Sequence, residues 1–279
     1  MKEKYIAVTD SGLGGLSVLA LLQKKFPAER FLYFGDNDNA PYGDRTETEL
    51  LSLTMRNLDF IASFGVKAIV VACNTLSAAL LSDIREYSGL KTFGVFPPVH
   101  KSLVAGEKTL LLCTPLTAKK YLDTPGLYIL ALPTLAKEVE KNALCLNNID
   151  MKKVLSEGEL FVPATDFLTG NGKKHIAATI FDHRKKTAEY ALSDLKNKFD
   201  TVICGCTHYS LVKNQISDHL KPKKTVCGEE FTINFLSNEP LIIKSPAKIR
   251  GNAVLFVGKN AGKNEKIYRA VVNCVENNL

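Results

Sequence analysis

The sequence predicts an α/β fold made of two similar lobes, in which mostly parallel sheets are flanked by helices. Apolar runs typical of buried strands alternate with helical patterns along the chain, and this order favours parallel sheets with right-handed crossovers. Two of these runs end in matching motifs, Cys73-Asn74-Thr75-Leu76-Ser77 and Cys206-Thr207-His208-Tyr209-Ser210. Because open α/β sheets bind ligands beyond the carboxyl ends of their strands, we expect both cysteines at one site, in the cleft between the lobes.

The first lobe is predicted from four strand-like runs. These runs are YIAVT, FLYFGD, KAIVVACNT and TFGVFPPV, and helical patterns follow the first three, the third helix beginning near Leu76. Pro97 and Pro98 end the fourth run, so the first half is expected to end at residue 97.

The second half begins at TLLLCTPLT, where an apolar run is followed by Thr114 and Thr117. The same order, an apolar run and then small polar residues, begins the first half at YIAVTDSG. Further strands are predicted in YILALP, HIAATI, TVICGCTHYS, TVCGE, LIIKS and AVLFVGK. Helices are predicted around Glu138 and Glu140, from about residue 185 to 198, and near 264–277. Residues 146–174 have the least regular pattern and are interpreted as a lid or a surface excursion.

Composition indicates a globular protein with a small-molecule substrate. The 279 residues are 46% hydrophobic and 23% charged, and no stretch approaches the ~20 apolar residues of a membrane span. The net charge is +7, but the lysines are scattered without a basic stripe, so neither a nucleic-acid nor a membrane partner is expected. Seven cysteines without framework spacing, and no signal-peptide pattern at the N-terminus, favour reduced thiols in the cytoplasm.

The turn after the first strand, Asp10-Ser11-Gly12-Leu13-Gly14-Gly15, is a candidate binding loop. Its glycines permit a tight turn that leaves backbone N–H groups free at a helix N-terminus. The order of glycines does not match the dinucleotide fingerprint, so the loop could hold the carboxylate or ammonium of a small substrate as well as a phosphate. Asp10 could alternatively do no more than cap the helix.

The loop after the second strand, residues 37–44, is the next candidate. So polar a loop at the carboxyl end of a strand favours substrate contacts, although Pro41-Tyr42-Gly43 could equally be an ordinary turn.

The paired cysteines predict proton transfer on both faces of one carbon. Inversion of a carbon centre needs one group that removes the proton from one face and another that delivers a proton to the opposite face. Thiols suit both tasks, with an ordinary pKa of about 8.5 that the surroundings can change. His208 could assist Cys206, and Asp10 could assist Cys73 if the first and third strands are neighbours. This scheme needs no metal and no organic cofactor.

Two other interpretations of the cysteines stay open at this point. Cys204, Cys206 and His208 would share one face of a strand and could bind a metal, although no second ligand pair is evident. Alternatively, both motif cysteines could be packed core thiols.

The motifs, taken together, resemble glutamate racemase, of the cofactor-independent aspartate/glutamate racemase superfamily. The matching residues follow the order of that family: Asp10-Ser11-Gly12-Leu13-Gly14-Gly15-Leu16, Phe34-Gly35-Asp36, Pro41-Tyr42-Gly43, Cys73-Asn74-Thr75 and Gly205-Cys206-Thr207-His208-Tyr209, with Thr114 and Thr117 as a weaker match. The resemblance covers residues 5–120 and 200–215 best.

The resemblance implies a site between two α/β lobes in which Cys73 and Cys206 flank the substrate Cα. It implies that Asp10 assists Cys73 and that His208 assists Cys206. The substrate would be held by Ser11, Tyr42, Gly43, Asn74, Thr75, Thr114, Thr117 and Thr207, with Glu140 as a further match. It also implies a homodimer that supplies D-glutamate for peptidoglycan, with residues 1–97 and 209–279 in the first lobe and residues 98–208 in the second.

The chain also departs from the pattern of that family. Ser210 stands where proline usually follows His-Tyr, Leu132 where cysteine often precedes proline, and Pro97 where glutamate is usual. These changes leave both cysteines in place, but the resemblance then fixes neither the choice of substrate nor the geometry of the dimer. The alternatives are a related enzyme acting on aspartate or another acidic substrate, or an amino-acid-binding relative without catalysis.

Overall fold

The chain folds into two mostly parallel sheets that are flanked by helices, which confirms the predicted fold class. The computed structural model describes residues 5–162, 179–181, 185–187, 195–240, 242 and 254–277. In this part of the chain, no helix combines the length and the apolar character that crossing a membrane requires.

The first sheet contains five parallel strands, and the first strand lies at its centre. Its strands are β1 (Tyr5–Asp10), β2 (Phe31–Gly35), β3 (Val66–Val71), β4 (Lys91–Gly94) and β12 (Val254–Val257), in the order β12-β2-β1-β3-β4. The helices α1 (Gly15–Lys25), α2 (Glu47–Ala62) and α3 (Asn74–Ser88) follow β1, β2 and β3. The central strands are apolar and buried because helices cover both faces of a parallel sheet.

The third helix begins two residues earlier than predicted. It starts at Asn74, so Cys73 has extended backbone angles and takes the N-cap position. The helix ends at Ser88 and is followed by Gly89, whose left-handed conformation (φ 60°) is one that a side chain disfavours. The early start matters for the site, because it puts the thiol of Cys73 at the N-terminus of a 15-residue helix.

The second sheet has four parallel strands and one antiparallel edge strand. Its strands are β5 (Thr109–Cys113), β6 (Leu127–Ala131), β7 (Glu159–Phe161), β10 (Thr201–Cys204) and β11 (Lys224–Cys227), in the order β11-β10-β5-β6-β7. The strand β7 runs antiparallel to β6. Further helices with both bounds in the described residues are α4 (Val99–Ser102), α5 (Pro115–Lys119), α6 (Leu135–Lys141), α7 (Met151–Ser156), α8 (Thr207–Ser210), α9 (Lys213–Leu220), α10 (Glu229–Leu236) and α11 (Ala261–Asn277).

Two predictions for the second half were wrong. Residues 146–161, expected to be irregular, form a short 3-10 helix, α7 and β7, because Met151, Val154 and Leu155 are buried in the core of the second sheet. The helix predicted from residue 185 instead begins as β9 (Lys185–Thr187), which pairs antiparallel with β8 (Thr179–Phe181). The pattern of apolar residues within residues 185–198 carries no information about pairing with β8, so it could not predict this strand. The rest of HIAATI, most of LIIKS and residues 163–174 lie outside the described residues.

The return of the chain to the first sheet is visible in the packing. Tyr209, Val212 and Ile216 are buried in the core of the second sheet, and β11 pairs with β10. Ile233 of α10 is buried in the core of the first sheet, and β12 pairs with β2. The division into residues 1–97 plus 209–279 and 98–208 stays a prediction, and these contacts associate α9 and β11 with the second sheet.

Candidate active site

The first cysteine motif is assembled by two neighbouring strands. The strands β1 and β3 pair in parallel, with Thr9 opposite Val71, so the condition under which Asp10 could assist Cys73 is met. Asp10, the last residue of β1, and Cys73, two residues after the end of β3, therefore lie at the same edge of the sheet. The thiol of Cys73 is buried and donates a long hydrogen bond to the hydroxyl of Ser11, with 3.9 Å between Sγ and Oγ.

The second cysteine motif joins a residue that is distant in the sequence. The Sγ atom of Cys206 lies 3.7 Å from Nδ1 of His208, and both residues are buried. The other ring nitrogen of His208, Nε2, lies 2.7 Å from Oε1 of Glu140. Glu140 comes from α6, so this carboxylate reaches the motif only because α6 packs against α8.

The second cysteine motif directly contacts the loop that follows β1. The hydroxyl of Thr207 donates a 3.2 Å hydrogen bond to Oδ2 of Asp10, and the backbone N–H of Leu13 donates a 2.6 Å hydrogen bond to Oε1 of Glu140. A Cβ atom added at Gly14 would lie 2.6 Å from Nδ1 of His208. The glycine of the first loop is therefore required by the close approach of the second motif, and not only by the turn.

Buried charges around His208 support one another. Burial alone disfavours the charged imidazole, but hydrogen bonds with Cys206 and Glu140 outweigh it and raise the pKa of His208 well above its usual value. Burial likewise acts to raise the pKa of Glu140, yet hydrogen bonds from His208, Leu13 and Asn37 lower it. The geometry thus favours an imidazolium whose Nε2–H donates to the carboxylate and whose Nδ1–H points to the sulfur of Cys206.

The surroundings of Cys73 have the opposite effect. Burial and the neighbouring charge of Asp10 raise the pKa of the Cys73 thiol to about 12, and the charge of Cys206 adds to this. Burial also raises the pKa of Asp10, while the charge of His208 and the backbone N–H of Gly12 act against the rise. The site is therefore electrostatically unequal: Cys73 keeps its proton, whereas a cation faces Cys206.

Three threonine hydroxyls form a second group beside the cysteines. Oγ1 of Thr75 lies 3.1 Å from that of Thr114 and 3.5 Å from that of Thr117, and Thr114 donates to Thr117 at 3.0 Å. Gly43 packs against this group, since an added Cβ atom would lie 2.5 Å from Cβ of Thr114. The hydroxyls belong to both halves of the site, because Thr75 lies in the first turn of α3, after β3 of the first sheet, and Thr114 caps α5, after β5 of the second sheet.

Two predicted binding residues direct their side chains elsewhere. The hydroxyl of Tyr42 donates a 2.5 Å hydrogen bond to Asp36, and the amide nitrogen of Asn74 donates a 3.0 Å hydrogen bond to the carbonyl of Val95. Both side chains are buried. In this geometry they stabilise the loops that carry the site.

Three residues that support the site were not among the individually predicted site residues. Asp36 accepts hydrogen bonds from Tyr42 and Asn57, and Asn37 donates to Oε2 of Glu140 at 3.2 Å. The polar loop at residues 37–44 was the available signal for Asn37. Asn57 lies within α2, and nothing in its local pattern distinguishes it from a surface residue.

The proposed metal ligands separate in the structure. Cys204 is paired in register with Cys227, whereas Cys206 and His208 contact each other. Within the described ranges, no group of three or more His, Cys, Asp or Glu side chains is arranged to hold a metal ion.

Comparison with known proteins decides the family. No family model matches the chain. A glutamate racemase of Fusobacterium nucleatum is 30% identical over 283 residues, which cover 96% of this chain and 98% of that protein. One of Clostridium botulinum (strain Hall) is 30% identical over 236 residues, covering 83% of this chain and 81% of that protein. The chain belongs to the glutamate racemase family.

The fold comparison agrees with the family. The crystal structure of a glutamate racemase isoform from Bacillus anthracis matches with a TM-score of 0.69 and 25% identity, covering 98% of this chain and 95% of that one. The resemblance inferred from the motifs is therefore confirmed, and this racemase-family chain is an isomerase.

Proposed function

We propose that this chain interconverts L- and D-glutamate, with Cys73 and Cys206 acting on opposite faces of Cα. The observation that carries the proposal is the contact of the second cysteine motif with Asp10, whose charge acts on Cys73. Thr207 follows one cysteine and bonds to Asp10, which neighbours the other. A pair of thiols beside one substrate would be the acid and the base that inversion requires.

The electrostatics support an order of events for one direction of reaction. The ring of His208 lies against the sulfur of Cys206, and in this direction that sulfur takes the proton from Cα. The thiol of Cys73, whose proton is firmly held, delivers that proton to the opposite face of the carbanion. Cys206 then holds a proton and Cys73 is a thiolate, so the reverse reaction begins from the exchanged state.

The amino acid is held, in this proposal, by the polar groups at the strand ends. The hydroxyls of Ser11, Thr75, Thr114, Thr117 and Thr207 would contact its ammonium and carboxylates. Because the side chains of Tyr42 and Asn74 bond to Asp36 and Val95, Tyr42, Gly43 and Asn74 would contribute their backbone N–H groups. Glu140 would act mainly by orienting His208, and its contact with substrate stays a prediction.

The proposed biological setting follows from the family. D-Glutamate made in the cytoplasm would be consumed in peptidoglycan synthesis, and the enzyme would work as a homodimer. Restored growth of a bacterium that requires D-glutamate would support the first point, and light scattering of the purified protein tests the second.

Isotope exchange tests the reaction itself. The purified protein is incubated with L-glutamate in D₂O without pyridoxal phosphate, and optical rotation and deuterium at Cα are followed together. Loss of rotation accompanied by deuterium at Cα is expected. A parallel panel with aspartate and other dicarboxylic amino acids defines the substrate.

Matched cysteine variants test the assignment of the two bases. Cys73→Ala and Cys206→Ala should each abolish inversion, whereas Cys145→Ala, at an exposed cysteine, should retain it. Circular dichroism and thermal melting show whether each variant remains folded. Inversion at an unchanged rate in either Cys73→Ala or Cys206→Ala would refute the two-thiol mechanism.

A further inference from the structure

Two cysteines outside the proposed mechanism lie next to each other at the edge of the second sheet. Cys204 ends β10 and Cys227 ends β11, and these residues are register partners in a parallel pair. Neighbouring strands lie about 4.8 Å apart, within the Cα separation of roughly 4.4–6.8 Å that a disulfide spans. Both thiols are free, and Cys227 packs against the hydrophobic cluster that contains Cys204.

The two thiols differ in their access to solvent. Cys204 is 1% exposed, whereas Cys227 is only partly buried. Cys227 lines a cavity of about 480 Å³, together with Ser210, Lys213, Gln215 and Glu229. A small oxidant in this cavity would therefore meet Cys227 first, with Cys204 directly behind it.

We propose that Cys204 and Cys227 are a thiol modification site, at which a peroxide converts the two thiols into a disulfide. The thiol of Cys227 gives up its proton as its sulfur attacks one peroxide oxygen and the O–O bond breaks, which forms a sulfenic acid and a hydroxide that this proton converts to water. The sulfur of Cys204 then attacks the sulfenic sulfur, loses its proton and expels a second water. Two thiols are oxidised by two electrons while one peroxide is reduced to two waters.

The environment of Cys204 makes it the second of the two thiols to react. The hydrogen bond with Cys227 and then burial raise the pKa of the Cys204 thiol well above its usual value. The buried thiol is thus a poor initial nucleophile, and its role is to complete the bridge.

The bridge would act on the proposed active site through a short connection. Only Gly205 separates Cys204 from Cys206. The N–H of Gly205 donates a 2.7 Å hydrogen bond to Leu112, and a Cβ atom there would lie 2.6 Å from the side chain of Leu111. Movement of Cys204 toward Cys227 would therefore be passed to Cys206. This consequence, unlike the bridge, rests on the proposed function.

Peptide mapping tests the bridge without reference to activity. The full chain is treated with limiting hydrogen peroxide, the remaining thiols are alkylated, and the digest is analysed by mass spectrometry without reduction. A peptide pair joined through Cys204 and Cys227, which dithiothreitol separates, is expected. The proposal is overturned if both cysteines remain alkylated as free thiols while other cysteines become oxidised, or if the joined peptides contain another pair.

Two variants separate the bridge from oxidation of the proposed catalytic thiols. Cys227→Ser should have ordinary racemase activity and should lose it more slowly in peroxide than the unmodified chain. Cys145→Ser, at an exposed cysteine of the same cavity, should lose activity at the unmodified rate. Equal loss in Cys227→Ser would show that the bridge does not control the site. Absence of racemisation altogether would refute the proposed function and leave the mapping result intact.

Discussion

Replacement of Glu140 by glutamine removes one negative charge from the buried partner of His208 while keeping the size of the side chain. Oε1 of Glu140 accepts from His208 at 2.7 Å and from Leu13 at 2.6 Å, so glutamine can still accept with one oxygen. Its new NH₂ group faces Asn37, whose own amide oxygen is buried without a hydrogen-bond partner and can accept after an amide flip. The variant therefore tests charge rather than packing.

The expected cost follows from the loss of a charged hydrogen bond. Such bonds contribute about 1.5–3 kcal/mol, which corresponds to roughly a 10- to 150-fold fall in kcat/KM if the bond is fully needed in the transition state. Without the carboxylate, the interactions with Glu140 that raise the pKa of His208 are weakened, so this pKa falls although the contact with Cys206 remains. The imidazole then becomes neutral as pH rises, so the loss of activity should be larger at alkaline pH than at mildly acidic pH.

Stability should change with pH in a defined window. The raised pKa of His208 stabilises the fold below the ordinary histidine value and less so as pH rises through the folded value. The lowered pKa of Glu140 stabilises the fold above the ordinary glutamate value and less so as pH falls through the folded value. The difference in unfolding free energy between the two proteins should therefore be largest between about pH 4.3 and 6.5.

The assays are kcat/KM from the circular dichroism of glutamate and denaturant unfolding, each followed across pH. Glu138→Gln is the matched control on the same helix, because Glu138 bonds to Asn142 and not to the site. An unchanged pH profile and unchanged kcat/KM in Glu140→Gln would show that this carboxylate does not set the charge of His208.

Three further substitutions probe the loops. Gly14→Ala should greatly reduce kcat, because its methyl group would collide with the imidazole of His208. Gly262→Ala is the control, because a methyl group there meets no neighbouring atom, and steady-state kinetics of the two variants should differ accordingly. Tyr42→Phe should lower the unfolding free energy by about 1.5–3 kcal/mol by removing the hydrogen bond to Asp36, with little change in KM; a large rise in KM would mean that the hydroxyl binds substrate. Thr114→Val should raise KM and lower stability by about 1 kcal/mol, because Thr114 also caps a helix; unaltered melting and KM would contradict this.

The cysteine motifs could be found in the sequence because each is local. An apolar strand followed by a cysteine and small polar residues is a continuous pattern. Because α/β sheets bind ligands at the carboxyl ends of their strands, this pattern also predicts the position of the site. The same locality gave the strands of the first sheet, whose helices follow each strand directly. The assignment of His208 to Cys206 came from their separation by one residue and is matched by a 3.7 Å contact.

The sequence by itself determined the alternating α/β order, the two cysteines and the family to which the chain belongs. Only the tertiary structure decided that Glu140 holds His208, that Asp10 meets Thr207, and that Lys185–Thr187 is a strand. The physical reason is range. Periodicity and short motifs record what a residue does with its near neighbours, whereas a hydrogen bond between α6 and α8, or a strand pairing, depends on how distant segments pack.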